Sequence, residues 1–285
     1  MQDTEFSQRN TIDNVMGVGG FTVKELVIIK GAGDLATGIA HRLFRSGFAV
    51  VMTELAQPMV IRRTAAFGSA VFLGRMEVEG VVAVKSSLAQ VLQVVHEGQI
   101  AVVVDPQGLS VPTLKPLAVV DAIMAKKNLG TQLKDAPIVI GVGPGFTAGK
   151  DVHAAVESKR GHYLGRVIME GSPFIDTGVP GEIGGYTTER ILRAPCQGIF
   201  RAVSQIGDQV AAGEVVAYVD QQPVLAMITG VLRGLLHDQL VVTLGMKVGD
   251  IDPRCIPEHC FSISDKARAI GGGVLEAILY CRTVL

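Results

Sequence analysis

The sequence predicts an α/β fold in which a doubly wound parallel sheet is followed by a small all-β domain and a C-terminal helix. Three observations support this. Short β-branched runs alternate with helical patterns over residues 26–143, the order that builds a parallel sheet. From residue 191 to 254, short strands are separated by Gly-Asp turns without a helical pattern. The last segment, FSISDKARAIGGGVLEAILYCR, again indicates a helix, entered through Ser264 or Asp265 and carrying three glycines that must either break it or permit close packing.

Length and composition limit the class of protein. The chain has 285 residues, 48% of them hydrophobic, which is enough for two or three domains with a sizeable core. A formal charge of -1 gives no electrostatic reason to expect nucleic acid or a membrane surface as a partner. No apolar run approaches the roughly 20 residues of a membrane helix, and the polar start does not fit a signal peptide. The four cysteines form no C-x-x-C pair, so we expect a cytoplasmic protein.

The elements of the first domain follow from periodicity. LVIIK is the first strand, the following glycine loop opens a helix with Leu35, Ile39 and Leu43 at helical spacing, and FAVVMTE is the second strand. AQPMVIRRTAAFG is expected to begin a second helix, with Pro58 in its first turn. The remaining predicted elements are a helix over 86–98, a strand over 100–105, a helix around 116–127 and the strand PIVIGVG.

After residue 150 the pattern changes. VHAAVES and YLGRVIM, separated by KRGH, predict a hairpin, and a turn-rich linker follows. A weak repeat, G-x-x-R followed by a Gly-Asp turn, occurs twice in the next segment and indicates an intertwined small β-domain. The predicted divisions are a tail (1–22), a Rossmann-like domain (23–150), a hairpin and linker (151–190), a β-domain (191–255) and a C-terminal helix (256–285).

The first glycine loop has the pattern of a dinucleotide site. Gly31, Gly33 and Ala36 match G-x-G-x-x-A between a strand and a helix. Glu54 ends the second strand 21 residues after Gly33, where such sites place the acid that binds a ribose diol. These residues make NAD(P) one candidate cofactor.

Three charged residues modify that interpretation. Asp34 lies where a helix N-terminus would face pyrophosphate, and its carboxylate can cap the helix in place of a phosphate. Asp34 therefore favours a retained fold with altered ligand chemistry. Arg62 and Arg63 could pair with a phosphate, or belong to a solvated helix face.

The second glycine loop, GVGPGFTAGKD, is not a P-loop. Pro144 replaces the first glycine of that motif, and Asp151 replaces the hydroxyl residue that would hold magnesium. The loop follows the last predicted parallel strand, so Gly143, Gly145 and Gly149 would bring backbone to a ligand shared with the first loop, with Lys150 available for a charged group. The alternative is a flexible exit towards the β-domain.

The segment 194–254 resembles the barrel-sandwich hybrid of biotinyl and lipoyl domains, through AP-x-x-G and GD-x-V-x-x-G. Those carriers attach their cofactor to a lysine at a hairpin tip, and the corresponding segment here, VDQQPVLAMITG, contains none. Met246-Lys247 lies instead in a turn, GMKVGD. We therefore expect a structural or docking module rather than a carrier.

Nucleophiles and metal ligands are few. Cys255, His259 and Cys260 offer only three ligands in one short loop, so no metal site is predicted. Cys260 precedes the terminal helix, whose N-terminus would lower the pKa of the thiol, and it is the one candidate catalytic group. The alternative is an inert buried cysteine.

Several long stretches together resemble one family. They are IIKGAGDLATGIAHRLFRSGFAVVMTE, IRRTAAF, VDAIMAKKNLGT, GVGPGFTAGKDVHAAVESKRGHYLGRV and SISDKARAIGGGVLEAIL. They look like the accessory proteins of the selenium-dependent molybdenum hydroxylase system, the YqeB family, whose Rossmann-like part is similar to XdhC-type proteins. The resemblance implies a cytoplasmic maturation factor that serves a xanthine dehydrogenase-like molybdenum hydroxylase subunit. It supplies no established catalytic residues.

Three functions remain open at this point. The first is a maturation factor that binds a nucleotide-like or molybdopterin-type cofactor at the carboxyl edge of the sheet. The second is an NAD(P)-dependent oxidoreductase, and the third is a ligand-free scaffold that docks a hydroxylase. Whether any reaction is catalysed, and whether the chain forms a homo-oligomer, is left undecided by the residues.

Overall fold

The computed structural model describes residues 25–176 and 178–285, so the tail predicted for residues 1–22 lies outside the described part of the chain. The helices within that part are α1 (Asp34–Arg45), α2 (Ala70–Leu73), α3 (Val91–His96), α4 (Ser110–Leu114) and α5 (Asp265–Val284). The strands are β1 (Leu26–Lys30), β2 (Ala49–Glu54), β3 (Arg75–Val78), β4 (Val81–Ser86), β5 (Ile100–Val104), β6 (Ala118–Asp121), β7 (Ile138–Val142), β8 (Ala154–Val156), β9 (Val167–Ile168), β10 (Ile191–Arg193), β11 (Gly198–Ala202), β12 (Gln209–Val210), β13 (Val215–Val219), β14 (Gln222–Leu225), β15 (Gly230–Leu235), β16 (Val241–Val242) and β17 (Lys247–Asp252).

Nine strands form one large mixed sheet in the order β3-β4-β5-β2-β1-β6-β7-β8-β9. The seven strands from β4 to β8 in this order are parallel, and β1 lies among them with Val27 opposite Val50 on one side and Ala118 on the other. The two edge strands, β3 and β9, are antiparallel to their neighbours. Because the seven central strands share one direction, their carboxyl ends lie at one edge of the sheet.

Helices cover both faces of this sheet unequally. In α1, Ala36, Ile39, Ala40 and Leu43 are buried at i, i+3, i+4 and i+7, which is the apolar stripe of an amphipathic helix. These residues share a core with buried residues of α2, α5 and one face of the sheet. The short helices α3 and α4 contribute to a smaller core on the opposite face.

The doubly wound, Rossmann-like parallel sheet predicted from the sequence is wrong. The sheet is mixed, because β3 and β4 form a hairpin whose turn residues Glu79 and Gly80 both have positive φ. The connections from β6 to β7 and from β7 to β8 contain no α-helix within the described residues. The fold is a mixed α/β structure with a large sheet, two further antiparallel sheets and a C-terminal helix.

Two predicted helices are also wrong, and tertiary contacts explain both. The segment after Pro58 has no α-helix before Ala70 because Met59 and Ile61 pack against the core of the following β-domain, and Ile61 O accepts a hydrogen bond from Leu235 N at 2.9 Å. We call residues 59–64 the joint segment. The helix expected around 116–127 is instead strand β6, which is buried between β1 and β7.

The predicted hairpin of residues 152–169 corresponds to β8 and β9, which pair antiparallel. Strand β8 also pairs in parallel with β7, so Ile140 lies opposite Ala154. The hairpin therefore extends the large sheet, and the expected boundary at residue 150 does not coincide with an edge of that sheet.

Residues 191–252, which we call the β-module, form two four-stranded antiparallel sheets. Their strand orders are β10-β17-β15-β12 and β14-β13-β11-β16. Side chains from both sheets, including Phe200, Val216 and Leu232, are buried in a common core. Strand β11 alternates, with Phe200 buried between the exposed Ile199 and Arg201, whereas β15 is buried along its whole length.

Helix α5 returns to the large sheet and packs against α1. Its N-cap is Ser264, whose hydroxyl oxygen accepts a hydrogen bond from Ala267 N at 3.2 Å. The glycines of this helix permit close packing: a Cβ on Gly271 would lie 2.8 Å from the backbone oxygen of Gly38. A Cβ on Gly273 would lie 2.1 Å from Gly165 O, whereas one on Gly272 would meet nothing within 4 Å. No helix of the described residues is long and apolar enough to span a bilayer.

These contacts predict opposite effects of two neighbouring substitutions. Gly271→Ala should lower the free energy of unfolding by about 1–3 kcal/mol, because the added methyl group forces α1 and α5 apart. Gly272→Ala should leave it unchanged or raise it by about 0.5–1 kcal/mol, because alanine reduces the backbone entropy of the unfolded chain. Denaturant unfolding of both variants measures the difference, and equal effects would contradict the proposed packing.

Candidate functional site

A cleft of about 1080 Å³ opens at the carboxyl edge of the large sheet. Lys30, Glu54 and Asp121 line it from the ends of β1, β2 and β6. Residues of the linker after β9, including Phe174, line it from a second side. The β-module and the first turn of α5 complete it. The sheet, the β-module and the terminal helix therefore meet around one space.

The first glycine loop borders this cleft, but its acid does not cap the helix as expected. Gly33 is the N-cap of α1, and no side chain caps the helix. Asp34 instead accepts a hydrogen bond from Arg62 Nη1 at 3.2 Å. Its carboxylate thus belongs to an ion pair between α1 and the joint segment.

Glu54 also has a structural role. One carboxylate oxygen accepts a hydrogen bond from Ala32 N at 3.0 Å, and the other accepts one from Leu55 N at 2.8 Å. These bonds hold the glycine loop against the end of β2. A carboxylate engaged in this way is poorly placed to bind a ribose diol, which removes the best reason for NAD(P) as the cofactor.

Arg62 connects three parts of the chain. Besides Asp34, its guanidinium donates to the backbone oxygens of His259 at 2.8 Å and Ser262 at 2.9 Å. Its side chain is 8% exposed, and its Nε–H has no hydrogen-bond partner within the described residues. The residue therefore both fixes the wall of the cleft and leaves a buried donor unsatisfied.

Two further arginines that line the cleft are also buried with an unsatisfied Nε–H donor. Arg190, just before β10, forms a close ion pair with Asp250, and Arg233 on β15 lies 3.8 Å from a carboxylate oxygen of Asp252. Their side chains are 10% and 9% exposed, and each Nε–H lacks a hydrogen-bond partner among the residues that the structure describes. Burial and the neighbouring charge of Arg62 lower the pKa of Arg233. Buried donors without partners cost free energy, so their concentration in one cleft indicates a place for acceptors.

Two half-buried lysines add to the cationic lining, which also includes Lys126, Lys159 and Arg160. Lys247 begins β17 and Lys266 lies in the first turn of α5. Burial lowers the pKa of both amines. Arg62, Arg190, Arg233, Lys247 and Lys266 are named the cationic cluster below.

Lys30 differs from the residues of the cluster because its amine has hydrogen-bond partners within the protein. Its amine donates to Thr131 Oγ1 at 2.9 Å and to Asp135 Oδ2 at 3.1 Å, and Thr131 Oγ1 donates to Asp121 Oδ2 at 2.7 Å. This network ties the loop after β6 to the end of β1. It shapes the cleft and leaves no free charge there.

The second glycine loop contributes little to the cleft, since Pro144 is its lining residue. Gly143 and Gly145 permit close packing instead: a Cβ on the first would lie 2.6 Å from Ser158 Oγ, and one on the second 2.5 Å from Lys127 Cα. Gly149 and Lys150 do not line the cleft, and Lys150 is exposed. The shared-ligand interpretation of this loop therefore gains no support from the structure.

Only some of the site residues predicted from the sequence line the cleft. Gly31, Gly33, Asp34, Ala36, Glu54 and Arg62 border the cleft. Arg63 does not: its Nε donates to Leu235 O at 3.1 Å and helps to hold the β-module. Cys260 ends a 3₁₀ turn and is fully buried, with its thiol donating to Leu232 O at 3.8 Å. Burial raises the pKa of Cys260, which is opposite to the expected effect of a helix N-terminus.

Sequence reasoning missed four of the five cluster residues. Arg233 lies in GVLRGLL, and a basic residue inside an apolar strand was a signal that could have marked it. Arg190, Lys247 and Lys266 carry no comparable local signal. Within the described residues no group of three or more His, Cys, Asp or Glu side chains could hold a metal ion.

Comparison with known proteins gives one close sequence relative. No protein-family model matches the chain. It is 53% identical over 256 residues to a protein of Escherichia coli (strain K12) called Uncharacterized protein YqeB, with 90% of this chain and 47% of that protein covered. The chain therefore spans about half the length of this curated relative.

Similar solved structures are remote. They include an aspartoacylase family protein from Mesorhizobium loti, with a TM-score of 0.25, 10% identity and coverage of 81% of this chain and 85% of that one. A succinylglutamate desuccinylase/aspartoacylase from Rhodobacter sphaeroides has a TM-score of 0.25 and 14% identity, with 80% and 85% covered. The ectoine utilization protein EutE (DoeB) from Ruegeria pomeroyi has 0.24 and 12%, with 80% and 85% covered. At these TM-scores the likeness supports no inference about activity.

The maturation-factor function implied by the sequence resemblance finds no support in these comparisons. The curated relative has no assigned activity, and the solved structures are aspartoacylase-like and desuccinylase-like rather than XdhC-type. Nothing among them supports selenium or molybdenum chemistry, so the predicted maturation factor is not carried further. The hydroxylase partner is tested by none of these findings and stays a prediction.

Thiol accessibility can be checked directly. Cys255 is exposed, whereas Cys260 and Cys281 are 0% exposed and burial raises the pKa of both thiols. We expect Ellman's reagent to modify Cys255 rapidly in the native protein, and Cys260 and Cys281 only after unfolding. Mass spectrometry of the modified peptides identifies the sites. Rapid native modification of Cys260 would restore it as a candidate nucleophile.

The first turn of α5 should also respond to acid. Arg160 donates to both carboxylate oxygens of Asp265, at 2.5 and 3.1 Å, and this pairing lowers the pKa of Asp265 to about 2. A carboxyl with a lowered folded-state pKa stabilises the fold above its unfolded pKa of about 4 and loses that contribution as pH falls towards 2. The stability difference between the native protein and Arg160→Gln should therefore shrink between pH 5 and pH 2. A difference independent of pH would exclude a contribution from this pair.

Proposed function

We propose that the chain binds a small organic anion carrying phosphate or carboxylate groups in the cleft at the carboxyl edge of the large sheet. The single observation that carries this proposal is the set of three arginines, Arg62, Arg190 and Arg233, each more than nine-tenths buried and each with an Nε–H that makes no hydrogen bond within the described residues. Oxygen acceptors of an anion would satisfy these donors. Arginine suits this role because its planar guanidinium matches carboxylate and phosphate geometry.

The arrangement of charges supports the same conclusion. The carboxylates nearest the three arginines already accept hydrogen bonds from the protein, as in the pairs Arg62–Asp34 and Arg190–Asp250. Asp252, the neighbour of Arg233, accepts bonds from Arg254 at 2.6 and 2.9 Å. The charge of Arg233 is therefore only weakly matched inside the protein, and an added anion is the missing counter-charge.

The size of the cleft restricts the ligand. A volume of about 1080 Å³ lies slightly above the range of about 300–1,000 Å³ for small-molecule sites, so the cleft has room for a ligand larger than a single phosphate or carboxylate. The lining combines this cationic cluster with apolar side chains such as Leu35 and Phe174. We therefore infer an anionic group bound at the cluster and a less polar part of the ligand extending along the sheet edge.

Arg233→Met provides the test. Isothermal titration of the native protein with pyrophosphate and with citrate should show saturable binding that weakens with added salt. Arg233→Met should weaken that binding at least about tenfold, or roughly 1.4 kcal/mol. Because Asp252 keeps Arg254 as a partner, the variant should lose no stability and its melting temperature should stay the same or rise.

A matched control separates a bound anion from general electrostatics. Arg201 is exposed on β11 outside the cleft, so Arg201→Met removes the same charge without touching the cluster. It should leave both titrations unchanged. Absence of saturable binding of either anion, or equal losses in the two variants, would overturn the proposal. Preference for pyrophosphate or citrate then assigns a phosphate or carboxylate ligand.

We also propose a cytoplasmic location. The four cysteines are all free thiols, including the exposed Cys255. Exposed thiols persist in reducing compartments, which supports this location. Fractionation of cells that produce the protein, followed by immunodetection, provides the test.

A further inference from the structure

Lys247 is a member of the cationic cluster whose amine can do more than attract an anion, because it is able to react as a nucleophile. Its side chain lines the cleft, and its Nζ has no hydrogen-bond or ion-pair partner within the described residues. Two other lysines of the cleft differ, since Lys30 pairs with Asp135 at 3.1 Å and Lys126 with Asp176 at 2.7 Å, and the amine of Lys159 lies over the ring of Phe174. A lysine amine without a carboxylate partner is available for reaction.

The charged groups around Lys247 favour its neutral form. Burial is the largest effect, and the positive charges of Arg190 and Arg233 add to it, so the pKa of Lys247 is lowered. Asp250 and Asp34 oppose this effect. Both carboxylates, however, already accept hydrogen bonds from arginines, which limits how far they can stabilise a further ammonium ion.

Lys266 is close by and offers a direct comparison. Burial also lowers its pKa, but Asp34, Glu157 and Asp176 all act in the opposite direction and Arg160 is the single cation that adds to burial. Lys247 has two cationic neighbours against two engaged carboxylates. Burial thus lowers the pKa of both amines, and Lys247 differs from Lys266 in lying next to Arg190 and Arg233 of the cluster.

Resting on the proposed anion binding, we propose that the ligand of this cleft is an anionic aldehyde or ketone and that Lys247 forms an imine with its carbonyl carbon. The amine nitrogen attacks that carbon, and the carbonyl oxygen takes a proton to give a carbinolamine. Loss of water then forms the C=N bond. The step consumes one amine and one carbonyl and releases one water, so it requires no oxidant or reductant. Neighbouring cations are known to activate lysine for this chemistry.

The arginines of the cluster have a defined part in this step. Arg190 and Arg233 would bind the phosphate or carboxylate of the ligand and so hold its carbonyl near Lys247. Bringing the two groups together at one site is what raises the rate of such a reaction over that in solution. The imine is reversible, so the site is one for electrophilic activation of a carbonyl compound rather than permanent attachment.

Reductive trapping tests the proposal. The 285-residue chain is incubated with pyridoxal 5′-phosphate or glyoxylate and cyanoborohydride, and modified lysines are located by peptide mass spectrometry. Pyridoxal, which lacks the phosphate, is the matched uncharged reagent. Labelling by both anionic reagents should be at least about tenfold faster at Lys247 than at Lys266 or the exposed Lys150, because the arginines hold the bound carbonyl near Lys247. Pyrophosphate should block it, and Lys247→Arg should abolish it.

The outcomes separate this inference from the proposed function. If the native protein binds pyrophosphate but labelling is no faster at Lys247 than at Lys266, the imine is excluded and anion binding stands. If pyrophosphate neither binds nor slows labelling, both proposals fail. If pyridoxal labels Lys247 as fast as its phosphate does, the amine is reactive but the anionic carbonyl ligand is excluded. Selective, anion-dependent and pyrophosphate-sensitive labelling of Lys247 supports the proposal.

Discussion

The cleft exists because the joint segment, residues 59–64, binds three parts of the chain at once. Ile61 O and the guanidinium of Arg63 both bond to the backbone of Leu235, which fixes the β-module against the sheet. Arg62 reaches from Asp34 at the start of α1 to the backbone oxygens before α5, and Thr64 Oγ1 donates to Cys260 O at 2.7 Å. These bonds hold the β-module and the segment before α5 against the carboxyl edge of the sheet.

The cationic cluster is placed by that same geometry and carries a cost in stability. Buried guanidinium groups with unpartnered N–H donors are unfavourable in a folded protein, and a like-charged neighbour adds repulsion. Such groups persist where a function compensates the cost, which is the basis for proposing an anion at this site. The satisfied network of Lys30, Thr131 and Asp121 a short distance away illustrates the contrast, since it shapes the cleft and leaves no unmet donor.

Much of the secondary structure could be predicted because it depends on local pattern. The strands at LVIIK, FAVVMTE and PIVIGVG occur close to their predicted positions, and so does the terminal helix with Ser264 as its N-cap. The failures lie where distant contacts override local preference. The expected helix after Pro58 gives way to the joint segment, and the expected helix around 116–127 is a strand because its Val119 and Val120 fit between β1 and β7.

The sequence by itself determined the positions of the apolar elements, the glycine loop after β1 and the absence of an attachment lysine at the hairpin tip, because each is a local property of a few consecutive residues. Only the tertiary structure determined which residues form the site. Arg62, Arg190, Arg233, Lys247 and Lys266 are spread over about two hundred residues and meet only when the β-module and α5 pack against the sheet. Packing also gave Asp34 and Glu54 partners within the protein, because each carboxylate accepts a hydrogen bond from another part of the chain.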